Sequence, residues 1–355
     1  MTDGNLYNEA VELLKSLIQT PSLSREEDKT AALIEQFLKR HGVANVHREQ
    51  NNVWAFNRYY NPELPTLLLN SHHDTVKPNA GYTRYPFEAS IENGKLYGLG
   101  SNDAGGCLVS LVAAFLYFYN RKDLTYNLAL AATAEEEISG RNGIESILAQ
   151  LGPLEAAIVG EPTEMHLAVA EKGLMVLDCI AQGKAGHAAR EEGINAIYAA
   201  LPDIQWFQSY TFPEVSEHLG PVKMSVTVVQ AGTQHNVVPD TCSFTVDVRL
   251  TDAYTLEEVL ETIQQNVKAE VKPRSMRLKP SSIPMEHPLV QTGIQLGRKT
   301  YGSPTTSDQA LLPIPSLKMG PGFSGRSHMA DEFIYLQEIE EGINLYIELL
   351  EKVIS

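Results

Sequence analysis

The chain has 355 residues, of which 43% are hydrophobic and 20% charged, a composition typical of an ordinary globular protein with room for two domains. Its 28 Lys and Arg and 44 Asp and Glu residues give a formal net charge of −16. Because nucleic-acid-binding surfaces need clustered Lys and Arg, this balance and the lack of a basic run argue against nucleic acid as a partner.

The cysteines and the hydropathy pattern indicate where the protein resides. Cys107, Cys179 and Cys242 are far apart and form no CxxC pair, which is typical of a reducing compartment rather than of a disulfide framework or a thiolate zinc site. The amino terminus lacks the basic and apolar regions of a signal peptide, and the apolar stretch 107–119 is too short to span a bilayer. We therefore expect a cytoplasmic protein without a membrane partner.

The first half of the chain alternates predicted helices with apolar runs. The second helix is expected to begin at Ser24, with Glu26 and Glu27 in its first turn. Continuous apolar runs of this length are typical of buried parallel strands. In chain order, we predict helices at 6–19, 24–38 and 105–119, and strands at 66–70, 127–133 and 156–160. This order indicates an α/β domain.

The pattern changes after Ala168. Strands at 174–180, 222–230 and 242–250 and helices at 195–207 and 256–267 indicate an α+β unit, and beyond Pro280 a helix at 288–300, a strand at 314–319 and a helix at 336–353 follow. We therefore expect an α/β fold with a mixed, mostly parallel sheet flanked by helices. Residues 1–171 and 279–355 would form a discontinuous catalytic domain, and residues 172–278 an inserted α+β domain.

Acidic and imidazole side chains follow three of the predicted strands. His72 and Asp74 follow the first strand, Glu135–Glu137 the second and Glu161 the third. Because open α/β sheets bind ligands at the carboxyl ends of their strands, these groups can converge on a divalent metal. Imidazole and carboxylate together suit zinc, and also cobalt or manganese. The alternatives are a pair of loop histidines and a solvated acidic run.

The spacing within these motifs indicates roles. His72 and Asp74 lie on the same side of an extended segment, so Asp74 can accept a hydrogen bond from the imidazole nitrogen that faces away from a metal. Three adjacent carboxylates repel each other unless a cation is near, which favours a metal over a surface acidic run for Glu135–Glu137. One of these glutamates can bind the metal while its neighbour takes a proton from water.

Two further features could contribute to this edge. The glycine-rich turn Gly98–Gly106 lacks the GK[ST] ending of a nucleotide-binding loop, although a phosphate loop is the alternative. Its glycines equally allow a tight turn around Asp103, whose two oxygens can bridge two metals about 3.5–4 Å apart. His328 lies in a glycine-rich loop after a predicted buried strand, whereas His187 is a lone histidine of the kind that is more often structural.

Several motifs occur in a characteristic order. They are His72-x-Asp74, Gly100-x-x-Asp103, Glu136-Glu137, Gly160-Glu161-Pro162-Thr163, Gly186-His187, Asn236-Val237-Val238-Pro239 and His328-x-x-Asp331-Glu332. This ordered set resembles the M20 metallopeptidase family, and the resemblance covers residues 6–350. The segments 132–137 and 159–163, the compact length and Thr305–Asp308 are most similar to the acetylornithine deacetylase branch.

The resemblance implies a zinc aminopeptidase-like catalytic domain with two zinc ions per subunit, for which cobalt can substitute. Asp103 would bridge the two metals. His72 and Glu161 would complete one metal site, and Glu137 and His328 the other.

The resemblance also implies catalytic roles and an assembly. Glu136 would be the general base and acid, Asp74 would orient His72, and His187 would help to stabilise the oxyanion, in its own subunit or across a dimer. The inserted domain would act as a lid and as the surface of a homodimer. Asn236 and Arg249 would contact substrate. Apart from the resemblance, arginine can grip a carboxylate through two parallel hydrogen bonds, so Arg249 could bind the substrate carboxylate, and the loop with Gly322 and Ser324 could add backbone N–H donors from the catalytic domain. Arg249 could instead make a structural ion pair.

Two departures from the family pattern bear on the register. His73 stands where small residues are common, so it could be confused with His72 as the metal ligand. Glu135 stands where Asp is frequent, and a slip by one residue would exchange the roles of base and ligand. The family also implies a cis peptide bond after Asp103.

These observations predict a zinc-dependent hydrolase that removes an acetyl or succinyl group from an α-N-acylated amino acid. The expected substrates are N-acyl-ornithine or N-acyl-citrulline in arginine biosynthesis. A succinyl-diaminopimelate desuccinylase or a dipeptidase of the same family is the alternative, because these enzymes share every metal residue. A metal-binding relative without catalysis is a third reading, although the base and all five ligand positions are present.

Overall fold

The chain forms two compact units. The computed structural model describes residues 3–190 and 192–355, so Met1 and Thr2 of the amino terminus considered above lie outside it. The first unit comprises Met1–Val169, Ser282–Tyr301 and Ser307–Ser355, and the second comprises Ala170–Ser281 and Gly302–Thr306. The sequence had placed residues 302–306 in the catalytic domain. They cluster with the second unit, where Thr306 Oγ1 donates a hydrogen bond to Lys172 O at 2.9 Å.

The helices and strands have the following bounds. The helices are α1 Asp3–Ile18, α2 Asp28–Arg40, α3 Gly106–Phe118, α4 Ile144–Leu151, α5 Ala196–Ser209, α6 Leu256–Asn266, α7 Pro288–Gln295 and α8 Leu336–Ile354. The strands are β1 Val46–Glu49, β2 Asn52–Phe56, β3 Thr66–His72, β4 Ser90–Glu92, β5 Lys95–Tyr97, β6 Asn127–Thr133, β7 Ala156–Val159, β8 Leu167–Glu171, β9 Gly173–Gln182, β10 Gly186–His187, β11 Lys223–Ala231, β12 Val237–Val238, β13 Thr241–Leu250, β14 Glu270–Pro273, β15 Ser281–Ser282, β16 Thr300–Ser303, β17 Ser316–Lys318 and β18 Phe333–Tyr335.

A mixed nine-stranded sheet organises the first unit, with the strand order β1-β2-β6-β3-β7-β17-β8-β15 and with β16 paired to β8. Its centre, from β6 to β17, is parallel, whereas β1, β2 and β8 pair antiparallel with their neighbours. Every residue of β3, β6 and β7 is buried, which explains their uninterrupted apolar sequences. The predicted fold class is confirmed. Strands β18, β5 and β4 form a separate small antiparallel sheet.

The second unit is built on an antiparallel sheet with the order β11-β13-β9-β14. In β9 fully buried residues alternate with partly exposed ones, so one face of the sheet packs on a core. That core is formed with α5 and α6, and includes Phe207, Phe244 and Ile263. A separate two-stranded sheet pairs β10 with β12.

Helix α3 is the central helix of the first unit. It contacts α1, α8 and β3, and twelve of its residues are buried. Residues 101–118 are long and apolar enough to cross a membrane by length and composition alone, but 89% of this stretch is buried inside the protein. An apolar helix covered on all sides by protein is a core helix.

Two helix boundaries differ from the prediction for identifiable reasons. Helix α2 begins at Asp28 rather than at Ser24, because the Ser24 hydroxyl donates to Asp74 Oδ2 at 2.7 Å and does not cap the helix. Glu27 is consequently the residue that precedes the helix. Helix α7 ends at Gln295 because Gly297 adopts a φ of +78°, the left-handed conformation that commonly terminates helices.

Candidate metal centre

Three parallel strands bring the predicted acids and His72 to one edge of the sheet. His72 is the last residue of β3 and pairs with Thr133, the last residue of β6. The chain leaving β6 therefore delivers Glu136 beside His72, with Oε2 lying 3.8 Å from His72 Nε2. Glu161, two residues beyond the end of β7, places its Oε1 at the same distance, 3.8 Å. The shared edge follows directly from the parallel register.

Asp103 lies between the two histidines. Its Oδ1 is 3.3 Å from His72 Nε2, and its Oδ2 is 3.7 Å from His328 Nε2. Each carboxylate oxygen thus faces a different imidazole, which is the arrangement that a bridging carboxylate requires. The Ser327 hydroxyl also donates a hydrogen bond to Asp103. The peptide bond between Asp103 and Ala104 is cis, as the family resemblance implied.

The two adjacent glutamates Glu136 and Glu137 face different partners. Glu137 Oε2 is 3.0 Å from His328 Nε2. Two overlapping groups have ligand atoms that all lie within 4.8 Å of one another: one is His72, Asp103 and Glu137, and the other is His72, Glu136 and Glu161. Geometry alone therefore offers both Glu136 and Glu137 as ligands, and the division into base and ligand stays a prediction.

Glu135 does not join this cluster. Its backbone adopts a left-handed conformation with a φ of +55°, and its side chain accepts a hydrogen bond from Asn142 Nδ2 at 2.9 Å. Gly140 lies against this carboxylate so closely that a Cβ there would be 1.9 Å from Glu135 Oε2. The turn directs Glu135 away from His72 and leaves its two neighbours to face the site.

Asp74 fixes the direction of the His72 ring. His72 Nδ1 lies 3.0 Å from the Asp74 carbonyl oxygen and 3.3 Å from Asp74 Oδ1. A carbonyl oxygen only accepts, so Nδ1 carries the hydrogen and Nε2 is free to bind a metal. The Asp74 carboxylate also accepts the backbone N–H of Glu136 at 3.0 Å and that of Glu137 at 3.2 Å. One carboxylate thus orients the histidine and both glutamates.

His73 faces away from the acids. Its Nε2 lies 2.9 Å from the carbonyl oxygen of Asn51, and its Nδ1 lies 2.9 Å from Thr30 Oγ1. Because Nε2 donates to a carbonyl and Nδ1 accepts from a hydroxyl, both ring nitrogens are engaged. Burial lowers the pKa of His73 to about 4, so the ring is neutral. The structure places His72, and not His73, at the metal cluster.

The metal-free site contains more carboxyl groups than imidazoles, and the pKa values of several of these groups are raised. Burial and the neighbouring Asp103 raise the pKa of Glu161 to about 8. Burial also raises the pKa of Glu136 well above its ordinary value, and the charges of Glu161, Asp308 and Glu137 add to this effect. The hydrogen bond that His328 Nε2–H donates to the Glu137 carboxylate raises the pKa of His328 to about 9. Carboxylates held together at this density favour a bound cation.

The donor set fits a pair of divalent metals. Two imidazole nitrogens and four carboxylates converge on one edge of the sheet, and these are donor types that zinc accepts in catalytic sites. The bridging position of Asp103 and the raised pKa values of the surrounding acids point to the same conclusion. The residues predicted to hold the metals are His72, Asp103, Glu137, Glu161 and His328, with Glu136 beside them.

The residues predicted to act from the inserted domain lie in the second unit. His187 on β10 pairs with Val237 on β12. Asn236 directly precedes Val237 in the chain, so His187 and Asn236 are close together, and both residues are exposed. Arg249 on β13 holds Asp247 through two hydrogen bonds of 2.8 and 3.0 Å and donates a third to Thr306 Oγ1 at 3.2 Å. These contacts correspond to the structural ion pair that the sequence left as an alternative.

The loop with Gly322 and Ser324 follows β17 in the first unit. Gly322 is buried with a φ of +91°, and a Cβ there would be 2.5 Å from Asn102 Oδ1. That same oxygen accepts the N–H of Phe323 at 3.1 Å, so this donor of the loop is already engaged. Ser324 is exposed and begins a short 3-10 turn that ends two residues before His328.

Two buried glutamates that shape the site were not predicted from the sequence. Glu332 accepts hydrogen bonds from the N–H groups of Asn102 and Asp103 at 2.8 and 2.9 Å, and from Gly100 at 3.1 Å. It thereby holds the turn that carries Asp103. Glu27 accepts the N–H of Glu135 at 3.2 Å. The signal for Glu332 was its place in the last motif, whereas Glu27 was predicted only as a residue of the first turn of a helix.

Comparison with curated proteins gives a family. The model of peptidase family M20/M25/M40 matches residues 68–352. Succinyl-diaminopimelate desuccinylase 2 of Ruegeria sp. (strain TM1040) is 27% identical over 278 residues, which cover 73% of this chain and 69% of that protein. Succinyl-diaminopimelate desuccinylase of Halorhodospira halophila (strain DSM 244 / SL1) is 24% identical over 375 residues, which cover 97% of this chain and 98% of that protein.

Comparison with solved structures gives the same fold. Aminopeptidase PepT from Bacillus cereus ATCC 10987 is 18% identical with a TM-score of 0.79, and covers 99% of both chains. A dinuclear metal-binding peptidase of the M20 family from Bacillus subtilis is 17% identical with a TM-score of 0.74, and covers 98% of both chains. The family match spans most of the sequence and includes all five candidate ligands. The chain therefore belongs to peptidase family M20/M25/M40 and is a metal-dependent hydrolase.

Proposed function

We propose that this protein is a zinc-dependent hydrolase that removes an N-acyl group, acetyl or succinyl, from an α-N-acylated amino acid. The observation that carries the proposal is Asp103, whose two oxygens face His72 and His328 at 3.3 and 3.7 Å, with Glu137 and Glu161 beside them. This donor set suits two zinc ions, with cobalt as a substitute. When bound, the metal supplies Lewis acidity that polarises the scissile carbonyl and lowers the pKa of water.

Glu136 is the proposed general base. Its carboxylate points into the cluster beside His72 and is 11% exposed, so it is shielded from bulk water but open to the site. In the metal-free protein, burial raises the pKa of the Glu136 carboxyl group well above its ordinary value. Glu136 takes a proton from the attacking water and returns it to the departing amine. Asp74 keeps both His72 and the Glu136 backbone in position.

The roles of His187, Asn236 and Arg249 come from the family resemblance, the role of the loop with Gly322 and Ser324 comes from its backbone N–H groups, and all of them stay proposals. His187 is assigned to the oxyanion, where a single donor is worth roughly 3–4 kcal/mol in other hydrolases. We assign contacts with the other parts of the substrate to Asn236 and Arg249 of the second unit and to Gly322 and Ser324 of the first.

The acyl group and the amino acid are the finer part of the proposal. The segments 132–137 and 159–163 favour N-acyl-ornithine or N-acyl-citrulline, and hence a step of arginine biosynthesis. The relatives named succinyl-diaminopimelate desuccinylase support a desuccinylase of that pathway comparably well. A dipeptidase is the third candidate, since the structural neighbours include peptidases.

A substrate panel tests these assignments. Metal-free enzyme reloaded with zinc or with cobalt is incubated with N-acetyl and N-succinyl derivatives of ornithine, citrulline, lysine and diaminopimelate, and with a dipeptide set. Released amine is quantified by ninhydrin and identified by mass spectrometry. We expect the highest kcat/KM for an acylated ornithine or citrulline. Turnover of dipeptides or succinyl-diaminopimelate alone would refute the substrate assignment and keep the hydrolase.

We also propose a homodimer formed through the second unit. Its helix α5 and the strand β11 expose an apolar set consisting of Ile197, Tyr198, Leu201, Val228 and Val229. Exposed apolar groups clustered on one unit are typical of an interaction surface. Light scattering at micromolar concentration should give twice the 39.2 kDa of one chain, and a monomer would refute the dimer.

The three free and buried cysteines support a cytoplasmic location.

A further inference from the structure

The turn Glu135–Glu137 is held in place by hydrogen bonds to buried carboxylates from elsewhere in the chain. Three consecutive backbone N–H groups, those of Glu135, Glu136 and Glu137, each donate to such a carboxylate. Asp74 accepts two of them, and Glu27 accepts the first at 3.2 Å. A non-glycine residue in the left-handed conformation of Glu135 is uncommon and depends on its surroundings to keep it there.

Glu27 is built into the protein at this point. Its side chain is 0% exposed, its Oε1 also accepts the N–H of Arg25 at 2.6 Å, and its Oε2 accepts Asn51 Nδ2 at 2.7 Å. Glu27 immediately precedes helix α2, and burial raises the pKa of its carboxyl group, although the hydrogen bonds from the Arg25 N–H and the Asn51 amide oppose this rise. Its neighbour Glu26, in contrast, is exposed.

His73 gives this arrangement a second anchor. Its Nε2–H donates to the Asn51 carbonyl at 2.9 Å, and the side-chain amide of the same Asn51 donates to Glu27. The backbone N–H of His73 donates to the carbonyl of Thr133, the last residue of β6, at 2.9 Å. His73, which departs from the family pattern, therefore connects the end of β6, two residues before Glu135, with Asn51, the residue that supports Glu27.

We propose that Glu27 is a positioning residue for Glu136 and Glu137, held in place by Asn51 and His73. The inference rests on the proposed function, which assigns the base and the metal ligand to these glutamates. Glu27 acts on them through the Glu135 N–H, so its loss should disturb both the metal site and the rate. Mutating a residue that orients a metal ligand without binding the metal itself typically lowers metal affinity or activity 10- to 100-fold.

The experiment uses the full chain and four variants. Glu27→Ala removes the acceptor, and Glu27→Gln keeps one oxygen for the Glu135 N–H while the Asn51 amide can rotate to meet the new NH₂ group. Asn51→Ala removes only the support, and Glu26→Ala is the exposed control. Calorimetric titration of zinc chloride into metal-free protein gives the zinc affinity, steady-state kinetics give kcat and KM, and circular dichroism gives the Tm.

We expect Glu27→Ala to weaken one zinc site and to lower kcat, each by about 10- to 100-fold, with little change in KM. Glu27→Gln should restore most of both losses, and Asn51→Ala should show a smaller loss in the same two quantities. Should Glu27→Ala fail to fold, Asn51→Ala alone decides. A lower Tm with unchanged zinc affinity and kcat would overturn the proposal, as would equal losses in Glu27→Ala and Glu27→Gln.

The zinc titration requires no substrate. Failure of the substrate panel would leave the titration intact as a test of positioning, and loss of zinc affinity without any detectable substrate would support Glu27 while refuting the proposed function.

Discussion

Replacing Glu136 by Gln separates a general base from a metal ligand. Glutamine preserves the shape of the side chain but cannot accept the proton of the attacking water at neutral pH. General acid–base catalysis contributes at least about 10²-fold, which corresponds to about 2.7 kcal/mol of transition-state stabilisation. We therefore expect kcat to fall at least about 100-fold, with zinc content close to that of the wild type.

The structure also predicts the direction of the stability change. Burial and the charges of Glu161, Asp308 and Glu137 raise the pKa of Glu136, although His72 opposes them, so the charged form is disfavoured in the folded protein. A neutral side chain removes that penalty. The free energy of unfolding of metal-free Glu136→Gln should consequently equal or exceed that of the metal-free wild type at pH 8, as measured by denaturant titration.

Glu137→Gln is the matched control, because Glu137 contacts His328 and is the predicted ligand. It should lose zinc affinity along with activity. Elemental analysis of the purified proteins decides between the two roles. Loss of about one equivalent of zinc from Glu136→Gln, with full zinc in Glu137→Gln, would exchange the assignments and refute the reasoning.

Three further predictions follow from the same geometry. Arg249→Lys keeps the positive charge but loses the planar guanidinium group, which can donate two parallel hydrogen bonds to substrate, so kcat/KM should fall at least about tenfold. An unchanged kcat/KM with a lower Tm would instead assign Arg249 to its ion pair with Asp247. In zinc-loaded protein, Glu332→Gln should lower the free energy of unfolding by about 1–3 kcal/mol, since the N–H of Gly100 then lacks an acceptor, and urea titration should detect this loss. The pKa values of Glu161 and Glu332 are each raised to about 8 from 4.5, chiefly by burial, so the metal-free protein binds these protons more tightly when folded. The contribution of these two groups to stability should be fully present below pH 4.5 and should be lost as the pH rises through 8, and a flat or rising Tm in EDTA as the pH is raised through 8 would contradict the assignment.

The sequence predicted which side chains meet at one edge of the sheet because the site uses regular features of the fold. Strands β3, β6 and β7 are buried throughout, so their apolar runs identify them, and a parallel register then brings the residues after them to one edge. His72, Glu137 and Glu161 are recognisable for this reason. The short strands β4, β5 and β18 carry too few residues to show a pattern and were missed.

The supporting carboxylates could not be predicted because their partners are distant in sequence. Glu27 contacts a residue 108 positions away, and Glu332 contacts N–H groups 229 to 232 positions away. Nothing local distinguishes Glu27 from its exposed neighbour Glu26, since both look like acids of a helix first turn. The register of His72 and His73 had the same difficulty, because only tertiary hydrogen bonds to Asn51 and Thr30 show which imidazole is already engaged.

The position of β17 has a consequence for biosynthesis. This strand lies between β7 and β8 in the sheet, but Lys318 pairs with Val159, which the ribosome translates 159 residues earlier. Until β17 emerges, β7 and β8 lack the neighbour that separates them, and exposed strand edges in a nascent chain invite aggregation. His328 is translated later still. The residues 170–281 of the second unit are complete before either arrives, so we expect the nascent chain to order that unit first and to acquire its metal-binding edge only near the end of translation.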